Sequence, residues 1–188
     1  LGSPLPKAQM GLNNTFTFRN FDLNVFLTAN IGSKVYNQLR VEGEYPGTSY
    51  GYFRALKNYA KIALIDPEGS PDDINNVYVV NPDTKIPGIR NDNTNGNTRR
   101  SDLYVEDGSF VRCKAISLGY TFSDNLLQKA HISSLRVYVN VSNAFLITKY
   151  KGMDPEIGSW DPLSAGYDNG YYPQPRMFTV GANLQLTK

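Results

Sequence analysis

The chain has 188 residues, 19 Lys and Arg against 17 Asp and Glu, and a net charge of +2, so its charge does not advertise a nucleic-acid partner. Charged residues make up 19% and aromatics 12%, an aromatic-rich, charge-poor balance compared with the roughly 25% charged share of a soluble domain. No run of about 18 apolar residues occurs, which excludes a membrane-spanning helix; the mean hydropathy of −0.40 leaves a membrane-spanning sheet open, because its strands need only alternate residues apolar.

Residues 1–11 lack the basic start and apolar core of an export signal, and Pro4 and Pro6 run straight into a strand pattern. The expectation is a chain that begins within a longer protein. From Gly11, the residues Leu12, Asn14, Phe16 and Phe18 fall on one side of an extended chain, with Asn13, Thr15, Thr17 and Arg19 on the other. Arg19-Asn20 interrupts this alternation, and Asn is the residue expected to take the turn. Phe21, Leu23, Val25, Leu27, Ala29 and Ile31 then alternate with residues that are polar, except Phe26. The two runs predict one tight β-hairpin over 11–19 and 21–32.

A third strand is predicted over 110–122, where Ile116, Leu118, Tyr120 and Phe122 alternate with Ala115, Ser117, Gly119 and Thr121. By the same parity Cys113, the only cysteine, falls on the small-residue side, and no internal disulfide is possible. Strands four and five are predicted over 135–146 and 176–187, from Leu135, Val137, Val139 and Val141 and from Phe178, Val180, Ala182, Leu184 and Leu186. Each strand has roughly the ten residues that span a membrane when tilted.

The connections are unequal. Residues 32–109 and 150–175 are long and rich in Asn, Gly, Pro and Asp, whereas 19–20 and 123–134 are short. Long and short alternate, as they do where a barrel puts short turns on the periplasmic side and long loops outside. A soluble β-sandwich, acting as a ligand-binding module, alternates apolar and polar residues in the same way, and periodicity alone leaves both architectures open.

Three stretches carry a resemblance. Residues 101–122 (SDLYVEDGSFVRCKAISLGYTF), 143–156 (NAFLITKYKGMDPE) and 172–181 (YPQPRMFTVG) resemble, in order and spacing, the closing strands of SusC/RagA-family TonB-linked outer-membrane receptors. The resemblance covers nearly the whole chain and is weakest over 41–100. It implies an all-β antiparallel meander, the last strands of a large transmembrane barrel with long extracellular loops, with residues 1–188 as the C-terminal part of that barrel and the plug domain absent. It further implies transport of oligosaccharides or peptides across the outer membrane of a Gram-negative bacterium, without enzymatic activity or cofactor. The implied partners are a SusD-like surface lipoprotein, outer-membrane lipid, and TonB, which would act through the missing N-terminal part. Lys188 stands where the family usually ends in an aromatic.

Individual candidates are weighed against simpler roles. His131, the only histidine, is expected in a solvated turn. Asp154, Glu156, Asp161 and Asp168 gather in one predicted loop but lack calcium-loop spacing, so turn capping is expected. No G-x-S-x-G, H-E-x-x-H or phosphate-loop motif occurs. Trp160, Tyr167, Tyr171 and Tyr172 are the candidate ligand or partner contacts, since loop aromatics stack on sugars or anchor a partner; self-packing of the loop is the competing role. Tyr120 and Phe122 are expected in an interfacial girdle. Residues 91–100 are expected to form a polar outer loop with no chemistry of its own.

Overall fold

The computed structural model describes residues 2–45, 51–89, 96–123, 127, 131–157 and 162–186. Its strands in chain order are β1 (Ala8–Phe18), β2 (Phe21–Ile31), β3 (Lys34–Asn37), β4 (Ile62–Leu64), β5 (Val77–Val79), β6 (Val105–Asp107), β7 (Phe110–Thr121), β8 (Ile132–Thr148), β9 (Tyr167–Asp168) and β10 (Met177–Leu186). One short helix, α1 (Gln38–Gly43), follows β3. The chain divides into two compact units: a sheet unit of Gly2–Val35, Asp107–Gly166 and Tyr171–Lys188, and a loop unit built mainly from Tyr36–Glu106 and Tyr167–Gly170.

The sheet unit carries a five-stranded antiparallel sheet in the order β1-β2-β7-β8-β10. These are the five strands expected from the sequence, joined as a meander, with β8 starting earlier than expected, at Ile132. Away from the irregularity at Lys114 and the exceptions Asn14 and Phe26, the alternation holds across the sheet. Phe16, Leu23, Leu118, Val139 and Val180 stand in one register row, and the next row reads Thr15, Asn24, Ser117, Asn140 and Thr179. Register-paired residues share a face, so one face is apolar and the other polar. The apolar face is bare, with Phe16 59%, Leu118 48% and Val180 79% exposed. A sandwich would bury these side chains under a second sheet.

Local irregularities are read less well from sequence. The β1–β2 turn puts Arg19, not Asn20, at a positive φ of 54°, while the Asn20 side chain donates to the Thr121 carbonyl at 2.7 Å. The β2–β7 register shifts between Cys113 and Ala115, leaving Lys114 as an extra residue. That bulge reverses the parity expected for Cys113, which pairs with Leu27 and Phe145 on the apolar face and is fully buried. In β8, Asn143 takes a positive φ of 52° beside the same bulge, and its side chain donates to the Pro175 carbonyl at 3.0 Å.

In the loop unit, Asn37 caps α1 by accepting from the Arg40 N–H at 3.1 Å. Arg40 pairs with Glu44 at 2.8 Å and Glu106 at 2.9 Å, and lies over the Tyr104 ring. Val41, Leu56, Ile86 and Tyr104 are buried hydrophobic residues of this unit. β9 pairs in parallel with β3 through Tyr36–Tyr167 and Asn37–Asp168, and β4 and β5 form a separate hairpin.

A left-handed backbone costs an ordinary residue about 1–2 kcal/mol, and Asn is among the few side chains that tolerate it. Arg19→Gly should therefore stabilise the full-length protein by up to about 1 kcal/mol. Asn143→Val should destabilise it by about 1–2 kcal/mol, with Asn143→Gly near neutral. Thermal unfolding of the three variants, measured side by side, checks this order.

Candidate functional site

The three resembling stretches meet at one place on the polar face of the sheet unit. The Lys114 bulge sets Arg112 and Lys114 on that face together. Asp154 and Glu156, two residues apart in the segment after β8, match that spacing. The Arg112 guanidinium donates to Asp154 Oδ1, and its Nε lies 2.9 Å from Glu156 Oε2, in an ionic contact without hydrogen-bond alignment. Lys114 Nζ donates to both Glu156 oxygens, at 2.6 and 2.8 Å. Asp154 also accepts the Glu156 N–H at 2.9 Å and the Gln174 N–H at 3.2 Å. One buried carboxylate thus ties the stretches at 101–122, 143–156 and 172–181 to one another.

Burial grades the cluster. Arg112 and Asp154 are 3% and 6% exposed, whereas the Lys114 and Glu156 side chains are 29% and 35% exposed. A buried ion pair is costly to break, because the partner left behind is a desolvated charge. Gly152 belongs to the same construction: a Cβ there would come within 2.3 Å of the buried Tyr150 ring. Lys114 and both carboxylates are engaged in ion pairs within the cluster. Its chemistry is positioning, and it holds the segment after β8 to the strand wall.

The rest of the polar face is a hydrogen-bonding surface. Asn24 donates to Asn13 at 3.0 Å and Thr15 at 2.9 Å. Arg136 on β8 reaches Asp22 on β2 at 2.9 Å, crossing β7 at Gly119, where a Cβ would lie 2.3 Å from the guanidinium.

The sequence candidates are distributed as follows. Tyr167 is half-buried in the loop unit, stacked on Tyr36 at 5.2 Å between centroids, with its hydroxyl donating to Gln38 at 2.6 Å. Tyr171 and Tyr172 belong to the sheet unit and are exposed, Tyr172 at 88%. Trp160 and Asp161 lie outside the described residues, as do residues 91–95 of the polar tract. Asp168 lies in the loop unit, fully buried and accepting the Gly170 N–H at 2.9 Å, while Asp154 belongs to the sheet unit. The expected acidic grouping is therefore two separate sets of contacts. Among the described residues, no three His, Cys, Asp or Glu side chains gather as a metal site. His131 sits in an exposed turn at a φ of 55°. A cleft of about 590 Å³ opens in the loop unit between Tyr59, Lys61, Ile62, Gly88 and Asn97. The pairing of Arg112 and Lys114 with Asp154 and Glu156 is not foreseen from the sequence, although the matched spacing within the resembling stretches carried the signal.

No protein-family model matches the chain. The chain is 30% identical over 192 residues to TonB-dependent receptor P3 of Formosa agariphila, covering 99% of this chain and 17% of that protein. It is 29% identical over 185 residues to TonB-dependent receptor SusC of Bacteroides thetaiotaomicron, covering 97% of this chain and 15% of SusC. Among solved structures it matches the RagAB peptide transporter with a TM-score of 0.72 at 22% identity, over 97% of this chain and 17% of that one. The RagAB peptide importer in its open-open state matches with a TM-score of 0.73. The chain thus spans about one sixth of the length of these relatives.

Arg112→Ala or Asp154→Ala should cost about 3–5 kcal/mol and open the segment after β8 to protease, whereas Lys114→Ala should cost under about 1 kcal/mol. Thermal unfolding and limited proteolysis of the full-length protein separate the two cases. A pH effect is expected at Asp107. The Ser109 hydroxyl and then its N–H hold this carboxyl below the usual range, Lys34 and Lys149 add to the effect, and burial opposes it. The folded pKa lies below the unfolded one, so this stabilisation is complete above the unfolded value and is lost as pH falls through the folded value. Asp107→Asn should therefore flatten the acid limb of the stability profile, as read by unfolding at a series of pH values.

Proposed function

We propose that this chain, a segment of a SusC/RagA-type TonB-dependent receptor, forms part of the wall and outer mouth of an outer-membrane barrel that imports nutrients. The observation that carries the reading is the bare, largely apolar face, which extends across five registered strands and has hydrogen-bonding residues behind it. Lipid satisfies the first face and a water-filled lumen the second. The aromatic group Phe21, Tyr120 and Phe122, with ring centroids 4.8 and 5.0 Å apart, lies at the short-turn end and fits an interfacial girdle. In this reading the chain forms the closing strands of the barrel, and its role is transport rather than catalysis.

Residues 32–109 and 149–176 leave the sheet from the same end, the end opposite the short turns. We place that end outside the cell, beneath a SusD-like surface lipoprotein. The substrate is an oligosaccharide or a peptide, and energy reaches the barrel through TonB. Of the four candidate aromatics, Tyr171 and Tyr172 have the exposure that a partner or ligand contact needs, and Trp160 remains a candidate in the same loop.

Two measurements test this. Spin labels at positions 23, 25 and 27 of the reconstituted receptor should be reached by lipid-soluble quenchers, and a label at position 24 by water-soluble ones; the reverse pattern rejects the barrel wall. Tyr172→Ala should weaken lipoprotein pull-down or nutrient capture about thirty-fold, the loss typical of an aromatic anchor, at unchanged surface abundance. Unchanged docking and uptake would leave Tyr172 with no functional contact.

A further inference from the structure

We infer that the β4–β5 hairpin, with the turn between its strands, is a docking arm for a partner protein whose apolar patch is rimmed by Lys and Arg. The inference rests on the proposed reading, in which that partner is the surface lipoprotein.

A two-stranded hairpin is marginally stable in isolation and normally spends its apolar side chains on a neighbouring layer. This one leaves them bare on both faces. Ile62 and Val79, a register pair on one face, are 64% and 45% exposed. Ile65, Tyr78 and Val80, which alternate with them, are 64%, 51% and 53% exposed. Ile74, in the turn, is 83% exposed. Six large apolar residues within one short stretch go well beyond the single exposed apolar side chains that need no explanation.

Polar contacts, rather than packing, hold the arm in shape. The Asn76 side chain accepts from the Asp66 N–H at 2.8 Å and donates to the Asp66 and Ser70 carbonyls at 3.1 and 3.3 Å. Asp73 accepts the Asn75 N–H at 2.9 Å, which fixes the turn that carries Ile74. At the base, the Asn81 side chain accepts the Lys61 N–H and donates to the Tyr59 carbonyl, both at 2.8 Å. A surface ordered before docking loses less entropy on binding.

Charge selects the occupant. Residues 62–84 contain Asp66, Glu68, Asp72, Asp73 and Asp83 and no Lys or Arg, in a chain whose net charge is +2. Anionic lipid headgroups are repelled by such a segment. A second copy would bring two acidic arms together. An apolar surface inside a basic rim complements both features, and the central apolar contacts would supply the affinity while the rim supplies orientation and rate.

The test uses the full-length receptor in its own outer membrane, together with the lipoprotein. A photo-crosslinking residue placed at position 74 or 78 should give an adduct with the lipoprotein, whereas one at position 180 on the apolar sheet face should not. Ile74→Asp with Tyr78→Asp should weaken lipoprotein co-purification about ten-fold at normal surface abundance. Adducts confined to the receptor's own chain, to a second receptor or to lipid would overturn the inference. So would unchanged co-purification of the double variant, and in that case the transport reading would stand. Failure of the unaltered receptor to co-purify any lipoprotein would remove the proposed lid, and the docking arm with it.

Discussion

A strand sends successive side chains to opposite faces, and in this chain that period of two is kept in register across five strands. Phe16, Leu23, Leu118, Val139 and Val180 form a row that is exposed or half-buried among the described residues, while Thr15, Asn24, Ser117, Asn140 and Thr179 form the row behind it. The apolar row needs an apolar medium. β1 and β10 each have a neighbour on one side only among the described strands, and an unpaired edge calls for a pairing partner or protection. A closed barrel in a membrane meets both demands at once, which is why the bare face and the open edges support the same reading.

Burial follows from this arrangement. In a soluble domain the core lies beneath the sheet. Here the deeply buried residues gather instead in and beside the connecting segments: Tyr104, Val41 and Asn37 in the loop unit, and Arg112, Asp154 and Tyr150 in the sheet unit. These parts of the connecting segments are therefore packed around polar side chains. Asp154 shows how such a centre is made. It collects a guanidinium and two backbone N–H groups from separate parts of the chain, and so converts a loop into a fixed extension of the wall.

The β4–β5 hairpin departs from that pattern. Its polar contacts are internal, its apolar residues are bare on both faces, and its charge is of one sign. On the sheet, apolar exposure fits the lipid contact proposed for that face, but the acidic stretch at 62–84 argues against lipid at the hairpin. The same physical feature, exposed apolar area, thus points to two media within one chain, and local charge distinguishes them.

Sequence periodicity was enough for the five long strands of the sheet, their order as a meander and the faces of most of their residues, because alternation is written one residue at a time and survives without tertiary context; the short strands β3, β4, β5, β6 and β9 fall in segments that read as loops. The sequence also carried the resemblance in its three stretches. What depends on register between distant segments is fixed only when the strands pair. The extra residue at Lys114 moved Cys113 to the apolar face, a change of parity that no single-strand pattern reports. It also placed Arg112 and Lys114 where Asp154 and Glu156 could meet them, across more than 40 positions of chain. Tyr167 reads in sequence like any other loop aromatic, and its stacking on Tyr36 exists only because β9 pairs with β3. Local period sets which way a side chain points, whereas its partner is set by how distant segments fold back on one another.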